Sequence, residues 1–173
     1  MSVITYGDPA YPNFTTWVDS LLTTDLPQGT ARLVTIDHRT GEPEGYCCLG
    51  EGCVIAGYRV DKFHLHDEDG EETDLYDEVG YILGADELAP REFLEWLGID
   101  ESLLDGGQGD VCVDYPPDLK GQGIALVSDG GRIPERPEGQ RPVPLTASAM
   151  NDTLHLTFRQ IGETLRYFGI RAG

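Results

Sequence analysis

At 173 residues, with 39% hydrophobic residues and a net charge of -19, the chain suits one domain, residues 1–173, that buries its own apolar core. No apolar run reaches the roughly 18 residues of a membrane-spanning helix, and the N-terminus lacks the basic start and apolar core of a signal peptide. These features argue against a membrane role and predict a soluble cytoplasmic protein. In that reducing compartment the four cysteines are expected to stay free thiols.

The negative charge is concentrated in the first two thirds of the sequence. Residues 1–119 hold 26 acidic and 5 basic residues, whereas residues 120–173 hold 5 acidic and 7 basic residues. Such a field repels nucleic acid and anionic membranes and attracts basic protein surfaces, so we predict a basic protein partner and neither nucleic acid nor membrane. An alternative that stays open is that the charge serves solubility alone.

The first two predicted elements are a helix and a strand. Apolar residues recur at helical spacing in FTTWVDSLLTT, residues 14–24, and either Asn13 or Thr15 can cap this helix. The following ARLVTI alternates and is rich in β-branched residues, which predicts a strand over residues 31–36.

A pair of strands is predicted on either side of a charged loop. YRVDKFHLH, residues 58–66, alternates between polar and apolar residues, and EVGYILG, residues 78–84, is its predicted partner. The connection DEDGEETD, residues 67–74, is predicted to be a loop because six of its eight residues are acidic and it contains an Asp-Gly pair.

Two further helices and a long irregular segment complete the predicted fold. Pro90 suits the first turn of a short helix that ends at Gly98. Residues 105–144 are rich in Gly and Pro and are predicted to be dominated by loops. Thr157 with Gln160 three residues later forms a capping box, which predicts a C-terminal amphipathic helix.

Three cysteines fall within seven residues in GYCCLGEGCVIAG, residues 45–57. If residues 46–56 form a helix, the sulfurs of Cys47, Cys48 and Cys53 point in roughly three directions and do not converge on one ion. The adjacent pair also differs from a C-x-x-C redox motif. We therefore interpret the three cysteines as core packing on a central, buried helix.

Two glycines inside this predicted helix indicate a close approach by another element. Gly50 and Gly52 lower the helix propensity, and a neighbour packed directly against their backbone would offset that cost. Glu51, between them, is the one charged residue of an otherwise apolar segment. The predicted fold is thus α+β, with this central buried helix, a small antiparallel sheet and the C-terminal amphipathic helix.

His64 and His66 are the best metal-ligand candidates in the sequence, because on a strand they share a face as two imidazole ligands need. However, the neighbouring acidic residues miss the spacing of a calcium loop. Eight of the twelve residues from Asp67 to Glu78 are acidic and none is basic, which is typical of a solvated loop. We predict no metal and no cofactor, with the histidine pair kept as an alternative.

The sequence favours a binding protein over an enzyme. It contains no G-x-S-x-G motif, His38 and His155 have no evident Ser or Cys partner, and the glycine-rich stretches lack the phosphate-loop lysine. An alternative is that the glycine-rich segment binds an anionic metabolite or signalling nucleotide through its basic side chains. These residues are Lys120, Arg132, Arg136 and Arg141.

Several short motifs resemble those of an uncharacterised family of small proteins encoded by bacteriophages and prophages. The most specific is YCCLG, residues 46–50, followed by a third cysteine at Cys53. The others follow in the family's order: Trp17 with Leu21, Gln28-Gly29, Arg32-Leu33, Leu88, Pro90, Trp96-Leu97-Gly98, Leu145, Asn151-Asp152, Phe158 and Ile161. Glu51-Gly52 and Val54 depart from the apolar pair and the aspartate of that family. The resemblance implies a phage-borne gene and no particular activity.

We hypothesise a phage-encoded accessory protein that binds and inhibits or redirects a host protein, such as an antiphage defence component, in the cytoplasm of the infected bacterium. Its acidic surface would make the contact. The predicted partner-binding residues are Asp67, Glu68, Asp69, Glu71, Glu72, Asp74, Asp77 and Glu78. The small-ligand binder is the alternative, and the sequence leaves the oligomeric state open.

Overall fold

Four α-helices and nine short strands make up the described part of the chain, residues 2–100, 108–114 and 145–172 of a computed structural model. In chain order they are β1 (Val3–Ile4), α1 (Pro12–Thr23), β2 (Val34–Ile36), β3 (Pro43–Tyr46), α2 (Cys48–Ile55), β4 (His64–His66), β5 (Glu72–Tyr76), β6 (Val79–Gly80), β7 (Ala89–Pro90), α3 (Arg91–Leu97), β8 (Gln108–Gly109), α4 (Phe158–Phe168) and β9 (Ile170–Arg171). A π-helical turn, Ala149–Thr153, precedes α4. No helix in these ranges is long and apolar enough to cross a membrane.

The strands form small antiparallel sheets, which confirms the predicted α+β class. β2 is the central strand of a three-stranded sheet, with Val34 opposite Tyr46 of β3 on one side and opposite Gly80 of β6 on the other. β1 pairs with β9, β4 pairs with β5, and β7 pairs with β8. The pairing of β1 with β9 brings the two ends of the described chain together.

α2 is the predicted central helix, and it lies in the apolar core. Residues 48–53 are all buried. A Cβ atom on Gly50 would lie 1.9 Å from the carbonyl oxygen of Leu33, and one on Gly52 would lie 2.6 Å from the indole nitrogen of Trp17. The predicted close approach to both glycines is therefore confirmed, by the chain just before β2 and by α1.

α1 begins earlier than predicted and without the predicted cap. Pro12 occupies its first turn, where a missing N–H costs nothing, and Tyr11 at the N-cap position makes no side-chain cap bond. The amide of Asn13 instead donates to a backbone carbonyl of α3 at 2.9 Å, and Thr15 Oγ1 accepts from the N–H of Gly7 at 2.9 Å. The predicted cap was wrong because both side chains hold neighbouring segments in place.

α3 ends where the sequence predicts, and α4 begins where the sequence predicts. Pro90 is the N-cap residue of α3, and Gly98 ends it in the left-handed conformation with φ of 89°. At the start of α4, Thr157 Oγ1 accepts from the N–H of Gln160 at 3.2 Å, and Gln160 Oε1 accepts from the N–H of Thr157 at 2.9 Å. Two backbone donors at the start of α4 are thus satisfied, as in the predicted capping box.

The predicted pairing of residues 58–66 with residues 78–84 is confirmed at one antiparallel bridge, where the N–H of Asp61 donates to Tyr81 O at 2.7 Å and the N–H of Tyr81 donates to Asp61 O at 2.9 Å. The rest of the pairing differs, because β4 pairs with β5, which begins inside the stretch predicted to be a loop, and β6 pairs with β2. The reason is a tight turn, in which the Asp67 carboxylate accepts from the N–H groups of Asp69 at 3.0 Å and Glu71 at 2.9 Å. These bonds reverse the chain at once, so the next residues become the partner strand.

Two predicted segments differ in extent or lie partly outside the described residues. β2 is shorter than the strand predicted over residues 31–36, since Ala31 adopts a positive φ of 65° and the strand begins at Val34. Of the Gly/Pro-rich segment, residues 108–114 are described and include β8, whereas residues 105–107 and 115–144 lie outside the described residues.

Candidate functional site

The acidic stretch of the sequence forms a two-stranded antiparallel hairpin, residues 63–78, called the acidic hairpin below. β4 and β5 are its arms, with His64 opposite Tyr76. The carboxylate of Asp67 holds the turn, and Gly70 completes the reversal with a φ of 83°. The site is therefore a strand pair with a register shift between His64 and His66, and the predicted solvated loop corresponds to its turn, residues 67–71.

The predicted partner-binding carboxylates come together on this hairpin, and seven of the eight are exposed. The exposed ones are Asp67, Glu68, Asp69, Glu71, Glu72, Asp74 and Glu78. The half-buried Asp77 accepts a hydrogen bond from the N–H of Val79 at 3.1 Å. No Lys or Arg lies between residues 67 and 78, so the negative charges reinforce one another.

One face of the acidic hairpin rests on the turn between β2 and β3. The N–H of Tyr76 donates to His38 O at 2.7 Å, and a Cβ on Gly41 would lie only 2.8 Å from the Tyr76 ring. Lys62 Nζ donates to Gly41 O at 2.6 Å and lies 5.1 Å from the centre of the Tyr76 ring. The face that carries His64 and Tyr76 is therefore fixed against the body of the protein.

The opposite face of the acidic hairpin is apolar and exposed. Leu65 follows His64 and Leu75 precedes Tyr76 on strands whose side chains alternate between faces, with a register shift between His64 and His66, and Phe63 directly precedes β4. The exposed fractions of Phe63, Leu65 and Leu75 are 57%, 42% and 41%, and the three are called the apolar face below. This face was not predicted from the sequence because Leu75 lies outside the predicted strands. The signal that could have indicated part of it is the alternation of apolar and polar residues in KFHLH, residues 62–66.

His64 and His66 share a face of β4, as the sequence predicts. His64 Nδ1 contacts a carboxylate oxygen of Glu72, and the centre of its ring lies 4.2 Å from the centre of the Tyr76 ring. Across residues 2–100, 108–114 and 145–172, no group of three or more His, Cys, Asp or Glu side chains is placed to hold a metal ion. His64 thus connects the two arms of the hairpin.

Cys47, Cys48 and Cys53 are buried, which confirms their interpretation as packing residues. Cys47 is the N-cap of α2 rather than a helical residue, and its Sγ accepts from the N–H of Gly50 at 3.4 Å. Cys48 Sγ donates to Ala147 O at 3.3 Å. Burial raises the pKa of Cys47 to about 12 and raises the pKa of the other two thiols as well. Reactive thiolates are therefore scarce at neutral pH.

Glu51 of α2 is a fully buried carboxyl group that faces α1. Its Oε1 accepts from the hydroxyl of Ser20, whereas its Oε2 has no hydrogen-bond partner among the described residues. Burial raises the pKa of Glu51 to about 7, and hydrogen bonding from Ser20 and Trp17 opposes this rise only in part. The sequence signal for this group is a lone charge in an apolar segment, but it does not show that the charge is buried.

Motif residues that carry the resemblance to the phage family connect distant parts of the chain. Gln28 Nε2 donates to Asn151 Oδ1 at 2.9 Å, and Gln28 Oε1 accepts from the N–H of Phe158 at 2.9 Å. Asn151 Nδ2 donates to Gly29 O at 2.9 Å and to Asp152 Oδ1 at 2.7 Å. These motif residues thus hold the loop before β2 against the π-helical turn and α4, which is a structural role.

Replacing Asn151 by alanine is expected to lower the free energy of unfolding by about 2 kcal/mol, because Asn151 is fully buried and its partners would lose their hydrogen bonds. Urea unfolding followed by circular dichroism measures the change. The matched control, Thr153→Ala, removes an exposed side chain from the same π-helical turn and should cost less than about 0.5 kcal/mol. Equal losses in the two variants would contradict the structural role of Asn151.

The alternative ligand-binding residues lie outside the described residues. Lys120, Arg132, Arg136 and Arg141 all fall within residues 115–144. The hypothesis that they bind an anionic metabolite or signalling nucleotide therefore stays a prediction from the sequence.

The described fold and site define an α+β protein with a buried, thiol-rich central helix and an exposed acidic hairpin. No model of a known protein family matches the chain, and searches of curated proteins and of solved structures also gave no match. The resemblance to the phage and prophage family therefore stays a prediction based on the motifs given above.

Proposed function

We propose that this chain is a phage-encoded accessory protein that binds a host protein through the acidic hairpin and thereby inhibits or redirects it. The expected target is a host protein with a basic surface, such as an antiphage defence component, in the cytoplasm of the infected bacterium. The observation that supports the proposal most is the clustering of seven exposed carboxylates on one hairpin, with no Lys or Arg between residues 67 and 78.

The charge of the hairpin determines which partners it attracts. Carboxylates repel phosphate backbones and anionic lipid headgroups, whereas they accelerate the encounter with a surface rich in Lys and Arg. A basic groove that binds nucleic acid is one such surface, since carboxylates can occupy the positions of its phosphates. Occupation of that groove would exclude the nucleic acid and so inhibit the target.

The attachment of the hairpin to the body favours binding as well. Tyr76 and Lys62 fix its inner face to the turn between β2 and β3, and Asp67 holds its own turn. Little backbone ordering is therefore required when a partner binds, which lowers the entropic cost of association. The resemblance of the YCCLG, QG and ND motifs to the phage family supports the phage origin.

The proposal predicts salt-sensitive capture of a host protein from bacterial lysate. The tagged chain should retain a partner at about 0.1 M salt and release it at about 1 M, where the Debye length falls to roughly 3 Å. A charge variant, Glu68→Gln, Glu71→Gln and Asp74→Asn, should weaken capture about tenfold. It spares Asp67 and Asp77, which hold the backbone.

The matched control removes three exposed carboxylates elsewhere: Asp25→Asn, Glu44→Gln and Glu92→Gln. It changes the net charge as much as the charge variant does, so it should capture the partner nearly as well as the unmodified chain. Recovery of no partner, or of a partner insensitive to salt, would contradict the proposal. An equal loss in the control would indicate a diffuse effect of net charge rather than binding by the hairpin.

A further inference from the structure

In the acidic hairpin the Tyr76 side chain is directed inward, whereas the apolar face is directed outward. A strand pair that covers a core normally buries its apolar side chains and exposes its polar ones. Here the Tyr76 ring packs on Gly41 of the turn between β2 and β3 and on the His64 ring, whereas the apolar face of Phe63, Leu65 and Leu75 is exposed. The core of the domain therefore does not account for these three apolar residues.

The three residues of the apolar face belong to one hairpin. Leu65 and Leu75 lie on the paired strands β4 and β5, where the register shifts between His64 and His66, and Phe63 directly precedes β4 and contacts the Tyr81 ring edge-on, with centroids 5.5 Å apart. Single exposed apolar residues are common on protein surfaces, but neighbouring ones on one face mark contact sites. Acidic residues adjoin the apolar face along the same strands and in the turn.

We propose that the apolar face docks onto an apolar centre in the partner's surface, and that Lys and Arg side chains surround this centre and meet the carboxylates of the hairpin. The inference rests on the proposed function and deepens it, since it states the chemistry of the partner surface. The buried apolar centre slows dissociation, while the charged surround accelerates association and sets the salt dependence.

Charge complementarity selects a basic protein as the occupant of this face. A second copy of the chain would bring one acidic hairpin against another, and the like charges would oppose the contact. Nucleic acid would meet the same repulsion from its phosphates. A basic partner with an apolar centre meets neither obstacle.

Two synthetic peptides test the inference on the full chain by fluorescence anisotropy. The first is a lysine and leucine peptide with one apolar face, and the second has serine in place of leucine at the same charge. The unmodified chain should bind the leucine peptide about tenfold or more tightly than the serine peptide. The variant Leu65→Thr with Leu75→Thr keeps strand-forming residues and should bind both peptides alike. Phe63 is spared because it contacts Tyr81.

Tyr167→Ser, which changes an 81% exposed aromatic residue of α4, is the control and should keep the preference for the leucine peptide. Equal binding of the two peptides by the unmodified chain, or an unchanged preference in the threonine variant, would overturn the inference. A failure of the proposed function would give a different result from a failure of this inference. If the carboxylates of the hairpin do not attract basic partners, the charge variant should bind the serine peptide as tightly as the unmodified chain does.

Sedimentation velocity tests the other occupant of the apolar face. The unmodified chain and the threonine variant should sediment alike, as expected when no second copy covers this face. A dimer of the unmodified chain that the two threonine substitutions dissociate would overturn the inference in favour of self-association. Unchanged thermal unfolding of the threonine variant shows that its fold is intact, as expected for substitutions at exposed positions.

Discussion

Replacing Gly50 by alanine is expected to lower the free energy of unfolding by more than about 3 kcal/mol, a large part of the stability of a domain of this size. The added Cβ would lie 1.9 Å from the carbonyl oxygen of Leu33 and 2.7 Å from its carbonyl carbon. These are backbone atoms, so no side-chain rotation relieves the overlap. The same carbonyl accepts from the N–H of Cys47 at 3.2 Å, so its displacement would also loosen the start of α2.

The matched control for Gly50 is Gly57, just beyond the end of α2. A Cβ on Gly57 would meet no atom within 4 Å, but its φ is 89°, so Gly57→Ala should cost only the roughly 1–2 kcal/mol of a left-handed backbone. Urea unfolding of the two variants measures the difference. If Gly50→Ala were as stable as Gly57→Ala, α2 would not pack against the chain before β2 as described.

The second large effect is expected from Glu51, whose neutral form the fold favours. Glu51→Gln should raise the free energy of unfolding at pH 8 by about 3 kcal/mol. Each unit of difference between the pKa of Glu51 in the unfolded and in the folded chain corresponds to about 1.36 kcal/mol. Those values are 4.5 for an ordinary glutamate and about 7 for Glu51 in the fold. Glutamine resembles the protonated acid in shape and can still accept from the hydroxyl of Ser20.

The sign of the pH dependence follows from the raised pKa of Glu51. Between pH 4.5 and about 7 the unfolded chain has released the proton that the folded chain retains. The stability that Glu51 contributes is therefore fully present below pH 4.5 and is lost as the pH rises through about 7. Glu51→Gln should remove this part of the pH dependence, so the two chains should differ little at pH 4.5 and most at pH 8.

Unfolding curves of both chains from pH 4.5 to pH 8 measure this difference. The exposed Glu44 provides the control, because Glu44→Gln removes one negative charge without changing a buried group. Its effect should be within about 0.5 kcal/mol at every pH. A Glu51→Gln variant that is less stable than the unmodified chain at pH 8 would contradict the buried, partly unpaired carboxyl group.

Local signals in the sequence were sufficient for several elements of the fold. The capping box at Thr157 and Gln160 and the stop at Gly98 depend on residues within one helical turn, and the structure confirms both. The burial of the cysteine segment also followed from local composition, because an apolar run with a single charge requires an apolar environment. Gly50 and Gly52 correctly indicated a close neighbour, although not that this neighbour is Leu33.

Strand pairing was predicted correctly at the bridge between Asp61 and Tyr81 but not for β4 and β6, because their pairing depends on one turn and on tertiary contacts. The carboxylate of Asp67 determines where the chain reverses, and the contact of Tyr76 with His38 determines which strand follows. Neither interaction appears as a periodic pattern. The start of α1 was missed for a similar reason, since Asn13 bonds to α3, which lies far away in the sequence.

The candidate site was partly predictable from the sequence. The run of acidic residues was visible as composition, so the eight residues of the proposed contact could be named in advance. The apolar face could not be predicted from the sequence, because Leu75 and Leu65 come onto paired strands only after the chain reverses between them. The burial of Glu51 was also hidden, since it depends on where α1 packs.

Hydrogen–deuterium exchange tests most directly whether the acidic hairpin is the partner-binding surface. Exchange of the full chain is measured alone and in complex with the host protein captured at low salt. Slower exchange concentrated in residues 63–78 is the predicted result, with the backbone of α1 and α4 little changed. Protection in other parts of the chain, with residues 63–78 exchanging as in the free protein, would contradict binding through the hairpin.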